Sequence, residues 1–160
     1  MKQNTVVVDG QTLLAEQKSA PRIDMKYEFT SSPEKVFSII GHLEGITRYF
    51  PMIYHATVNS PDNNDGEGSV RVCRIRGMGA VSEKIVWWSN PDGFAYKASG
   101  TFVPLKNHLG VIMLTRTAQG GTTLEWKQYF QTRFGPLGWM FPFMMKILMG
   151  KAIKNIRAIV

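Results

Sequence analysis

From residue 68 to residue 134 the chain reads as short strands joined by hairpin-length turns, and it closes with one helix within GPLGWMFPFMMKILMGKAIKNIRAIV. That order restricts the fold more than any other feature. A sheet followed by a single terminal helix buries its apolar face by curving around the helix. A curved sheet gripping a helix leaves a cavity between the two, and such cavities take apolar ligands. Charge marks the same segment. Glu125 is the last of the 12 acids, and Lys127, Arg133, Lys146, Lys151, Lys154 and Arg157 follow it, so most of the net charge of +7 sits in the last quarter.

At 160 residues, 44% hydrophobic and 19% charged, the sequence fits one globular domain with a core that needs no covalent staples. The single Cys73 excludes an internal disulfide and makes no zinc site alone. MKQNTVVVDGQTLLAEQKS is interrupted by Asp9, Gln11, Glu16 and Lys18, which is not a signal-peptide pattern. No stretch reaches the roughly 20 apolar residues that span a bilayer, so the expectation is a cytoplasmic protein. A basic balance raises nucleic acid as a partner, but the aromatics form no RNA-binding motif. The basic residues fall on a terminal helix rather than an open sheet face, so nucleic acid is not expected.

Residues 1–21 read as a peripheral segment, with TVVV as a short edge strand and QTLLAEQKSA weakly helical; the domain proper is 22–160. A strand over 22–30 alternates Ile23, Met25, Tyr27 and Phe29 with polar residues. In TSSPEKVFSII, Ser32 caps a helix, Pro33 takes its first position, and Val36, Phe37, Ile40 and Leu43 form the stripe. A second short helix over 43–49 stops at Phe50-Pro51. Strands follow at 54–58, 69–76, 81–88, 94–99, 108–117 and 122–133, and the terminal helix is expected to begin near Pro142. The fold class is α+β.

Alternation separates the faces of the strands. Leu124, Trp126, Gln128 and Phe130 share the face expected to look inward, as do His108, Ile112 and Leu114, and Phe94 and Tyr96. Glu83, Ile85 and Trp87 are placed inward because that choice leaves Lys84 in solvent, while parity over 71–76 stays ambiguous. On the helix, Met145, Met149, Ala152, Ile156 and Ile159 recur on one face, with Lys146, Lys154 and Arg157 roughly opposite. A methionine stripe packs as core and adapts to varied ligands; both roles fit together.

This ordered pattern resembles the START-like, polyketide cyclase/dehydrase and lipid-transport superfamily, whose helix-grip fold is shared with the birch-pollen-allergen proteins. The matching pieces are SSPEKVFSII, RYFPMI, GEGSVRV, SEKIVWWSNPDGFAYKASG and GGTTLEWKQYF, over residues 22–160. The resemblance implies a curved antiparallel sheet wrapped around a long C-terminal helix, with two short helices after the first strand. It says little of activity, because the superfamily holds binders, cyclases, transporters and oxygenase domains. The Tyr49-Phe50-Pro51 stretch also resembles coenzyme-Q-binding members, which keeps a quinone ligand open, and Phe50 joins the candidate lining.

Chemistry has few candidates. His42, His55 and His108 form no His-x-x-x-His pair, and no two-histidine, one-carboxylate cluster is visible, so no metal or cofactor is expected. GEG and GMG are turns, too short for a phosphate-binding fingerprint. Glu83, Tyr96, His108 and Gln128 remain as polar groups on the inner face, each able to orient a ligand or to be satisfied within the protein. Glu83 is expected to pair with Arg74 or Arg76 across the GMG hairpin, and His108 to be bonded structurally rather than catalytic. The leading reading is a non-catalytic binder or carrier of a hydrophobic small molecule; the rival is a cofactor-free cyclase/dehydratase. Leu137, Trp139, Met140, Phe141 and Phe143 crowd the start of the helix, beside Lys146, Lys151, Lys154 and Arg157. They suit a lip over the cavity, a homodimer patch, or transient docking on an anionic membrane.

Overall fold

The computed structural model of the chain describes residues 10–160, so the edge strand expected at TVVV lies outside the described residues. Seven strands form one antiparallel sheet: β1 (Ile23–Phe29), β2 (Ile53–Asn59), β3 (Val70–Ile75), β4 (Gly79–Ser89), β5 (Gly93–Ser99), β6 (Leu105–Arg116) and β7 (Thr122–Thr132). Across the sheet they run β1-β7-β6-β5-β4-β3-β2. β2 to β7 are thus a meander, and β1 crosses over to pair with β7. The helices are α1 (Gly10–Ala15), α2 (Pro33–Ile40) and α3 (Pro136–Ile159), with 3-10 helices at Leu43–Arg48 and Pro61–Asn63.

α2 forms where its signals lie. The Ser32 side chain accepts from the Lys35 backbone N–H at 3.5 Å, Pro33 fills the first turn, and Val36, Phe37 and Ile40 are buried. α3 departs from expectation by starting at Pro136 rather than near Pro142. Phe134 and Gly135 adopt φ of 67° and 53°, which turns the chain out of β7 and lets Pro136 open the helix. Pro142 lies inside, withholding the N–H that would bond the Gly138 carbonyl. Gly138 explains why this turn forms nonetheless: a Cβ there would stand 2.2 Å from the Arg133 carbonyl oxygen, so only glycine permits the approach.

Two apolar cores share the sheet. The inner one joins the concave face to α2, the 3-10 helix at Leu43–Arg48 and the α3 stripe of Met149, Ala152, Ile153 and Ile156. The outer one gathers Trp87, Ala95, Leu109, Val111 and Tyr129 beneath Leu13 and Leu14 of α1. This second core explains why β6 is apolar on both faces. α3 is fastened near its C-terminal end: Asn155 Nδ2 donates to the Tyr49 carbonyl at 2.8 Å, and Arg157 donates to the Glu28 carbonyl at 2.8 Å.

Two irregularities set which side chains face inward. In β4 the register slips between Ile85 and Trp87, so Val86 and Trp87 both contribute to the outer core and Trp88 returns to the inner face against Phe37 and Phe94. Trp87 is therefore not on the cavity side, contrary to strict alternation. In β6 the slip lies between Lys106 and Leu109, with Asn107 at φ 52°, and His108 turns inward after it.

Candidate functional site

Between the concave sheet face and α3 lies a cavity whose walls come from all seven strands, α2, the 3-10 helix at Leu43–Arg48, the loop 49–52, and α3. Together with the open space at its entrance it measures about 1010 Å³, and its enclosed interior about 90 Å³. The smaller figure governs what fits without rearrangement. It has room for several waters, or for a slim apolar group. Of the residues expected to line it, Phe50, Glu83, Phe94, Tyr96, His108, Ile112, Trp126, Gln128, Phe130 and Met145 do so. Ile85 and Leu114 are buried in the inner core without reaching the void, and Met149 is buried behind Gln128, its sulfur 3.9 Å from Gln128 Nε2. Trp87 belongs to the outer core.

The polar groups form two sets. In the first, Arg71 Nε donates to Glu83 Oε2 at 2.7 Å, and Arg71 Nη1 to the Leu43 carbonyl at 3.2 Å. Glu83 thus pairs with Arg71, its cross-strand partner on β3, and not with Arg74 or Arg76, whose side chains are exposed. The signal was available in sequence: if Arg74 and Arg76 share the solvent face, Arg71, Cys73 and Ile75 share the other. Burial opposes the Arg71 charge, but Glu83, with Tyr49 and Cys73 beside it, more than offsets this and keeps the guanidinium charged. Burial, reinforced by Glu83, pushes the Cys73 thiol up to about 12, so it is not a nucleophile.

In the second set, the Ala98 backbone N–H donates to His108 Nδ1 at 2.9 Å, and His108 Nε2 meets Gln128 Oε1 at 2.5 Å. Gln128 Nε2 and Trp126 Nε1 each donate to the Tyr96 hydroxyl at 3.1 Å. His108, Gln128 and Tyr96 are 6%, 3% and 5% exposed. Burial lowers the His108 pKa, against the smaller opposing pulls of Gln128 and Glu83, so the ring is neutral at pH 7. Burial also raises the Tyr96 phenol well above its ordinary value, with the Glu83 charge adding to it. No group of three or more His, Cys, Asp or Glu side chains among the described residues is placed to hold a metal ion.

The start of α3 is apolar on its outer side as well as on the side that faces the cavity. Phe141 is buried and lines the cavity, but Leu137, Trp139, Met140 and Phe143 are 61%, 81%, 59% and 70% exposed. They do not close the cavity as a lip. Phe102, on the β5–β6 connection, is 69% exposed and neighbours the β3–β4 hairpin at Gly79. Arg133 holds that connection through its bonds to the Gly100, Thr101 and Val103 carbonyls. No helix among the described residues is long and apolar enough to cross a membrane.

A curved antiparallel sheet closed around a C-terminal helix, with a lined void between them, defines a helix-grip protein. The sequence over residues 20–159 matches the family described as polyketide cyclase / dehydrase and lipid transport, and the chain belongs to that family. Solved structures agree on the fold. The protein XoxI from Bacillus cereus superposes with a TM-score of 0.71 at 17% identity, covering 88% of this chain and 94% of that one. A Thermobifida fusca protein gives 0.69 at 14% identity, covering 84% and 89%. The crystal structure of Ara h 8.0201 gives 0.66 at 20% identity, covering 85% and 94%. A search of curated proteins yields no match.

Proposed function

We propose that the chain binds or carries a hydrophobic small molecule (a lipid, quinone or polyketide-like compound) between the sheet and α3. One observation carries this reading: the void is walled by aromatic and aliphatic side chains, and its polar groups are mostly engaged with one another. His108 has both ring nitrogens occupied and Glu83 is paired with Arg71 through Oε2, which supports binding over acid–base chemistry. Native mass spectrometry of protein purified from its own host tests it. A co-purifying apolar molecule is expected; a protein that emerges empty and fails to bind any member of an apolar library ends the proposal.

The rival reading is a cofactor-free cyclase/dehydratase, favoured by the convergence of Glu83, Tyr96 and His108 on one void. Turnover of a polyketide-like substrate that is lost in Tyr96→Phe would establish it. For exchange of the ligand, the exposed apolar ring around Trp139 and Phe143 is read as a contact with an anionic membrane. Exposed Lys146 adjoins it, and no acid follows Glu125 in the chain.

A further inference from the structure

The hydrogen bonds around Tyr96 have a direction that can be worked out from one fixed point. The Ala98 backbone N–H is always a donor, so His108 Nδ1 is an acceptor and carries no proton. A neutral imidazole then bears its proton on Nε2, which donates to Gln128 Oε1. That fixes the Gln128 amide, with Nε2 directed at Tyr96, and a flipped amide would set an N–H against an N–H. The Trp126 indole is a donor only. The Tyr96 oxygen thus receives two hydrogen bonds from groups that cannot accept one in return.

Its own O–H proton has no acceptor among the described residues, and Tyr96 lines the cavity while being 5% exposed. A buried hydroxyl proton without a partner is costly unless something arrives to accept it. The cationic group in the wall, Arg71, is already held by Glu83 and the Leu43 carbonyl, so a carboxylate would find no free counter-charge. The demand is for a neutral oxygen.

Resting on the proposal that the cavity binds a small molecule, we infer that its ligand is a neutral carbonyl compound on a slim apolar body, whose oxygen accepts from the Tyr96 hydroxyl. The two donors behind the oxygen polarise the O–H and strengthen what it gives. The ring nitrogen of His108, two bonds back, only orients this chain and does not touch the ligand.

The test uses two shape-matched probes, 1-indanone and indane, with the full chain labelled at the tyrosine ζ-carbon. Tyr96→Phe serves to assign the Tyr96 resonance by its disappearance. The expectation is that indanone binds about three- to tenfold more tightly than indane, the worth of one hydrogen bond. Indanone, and not indane, also moves the Tyr96 ζ-carbon. Equal affinities overturn the inference, as does a carbonyl preference that leaves the Tyr96 resonance unmoved, which would put the donor elsewhere. Binding of neither probe overturns this inference; the cavity proposal itself falls only if an apolar library also yields no binder.

Discussion

The ring of Tyr96 stands where a side chain at Gly110 would have to be. The two residues are partners across β5 and β6, and a Cβ on Gly110 would fall 2.4 Å from Tyr96 Cζ and 2.8 Å from its hydroxyl oxygen. The missing side chain lets the ring reach across β6 to Trp126 and Gln128 on β7.

Gly110→Ala should therefore displace the ring and part the hydroxyl from both donors. Overpacking and two lost hydrogen bonds together cost about 2–4 kcal/mol. Urea unfolding checks this, and an unchanged midpoint would show that the ring has another place to go.

His108 gives a pH dependence with a definite sign. Its pKa is lower in the folded chain than the ordinary value of about 6.5 in the unfolded one. Below about pH 6.5 the unfolded chain takes up a proton that the folded chain refuses. The stability is thus present above that pH and is lost as pH falls toward the lowered folded pKa. Melting temperature should drop between pH 7 and pH 5, and the drop should be smaller in His108→Gln. A variant with the same slope as wild type would assign the effect to other groups.

The Arg71–Glu83 pair should behave non-additively. Glu83→Gln leaves the Arg71 charge, 3% exposed, without its counter-ion, and about 3–5 kcal/mol of stability should go. The double variant Arg71→Met, Glu83→Leu removes both charges and should cost less than the single one. Denaturant titration of the three proteins decides it; a double variant no better than the single one would locate the cost in packing.

In the first turns of α3, Trp139→Ser and Phe143→Ser should leave the melting temperature within about a degree, since both side chains are largely exposed. Co-flotation with anionic liposomes should fall sharply in the pair, and wild-type binding should weaken with salt. If wild type fails to float, and gel filtration shows a dimer that the same substitutions dissociate, the ring is a contact between copies of the chain.

The order of elements along the chain, the capped α2 and the inward face of β7 are legible, because each follows from a period or a cap with a direct steric cause; the pairing of β1 with β7 is not. What alternation missed was where the period breaks. Nothing in EKIVWWSN says that Val86 takes the extra position in β4; that depends on pairing with Ala95 and on α1 covering Trp87 from behind. The start of α3 was misplaced because Pro142 reads as a first-turn residue, whereas Pro136 holds that position. The close packing that keeps the first turns helical, Gly138 on the Arg133 carbonyl, is tertiary and leaves only a glycine in the sequence. Arg71 is hidden for a different reason: parity over 71–76 is ambiguous by alternation, and a guanidinium is seldom buried unless it is paired.

The outer core beneath α1 bears on how a void can persist inside so small a protein. Atoms around an empty space forgo the contacts that would otherwise hold them, and a sheet gripped from one side tends to sag inward until the space is gone. Here β4 to β7 are held from their convex side as well, by Trp87, Leu109, Val111 and Tyr129 under Leu13 and Leu14. The sheet behaves as an arch with its own buttress: the curvature is maintained from behind, independently of what the concave side holds.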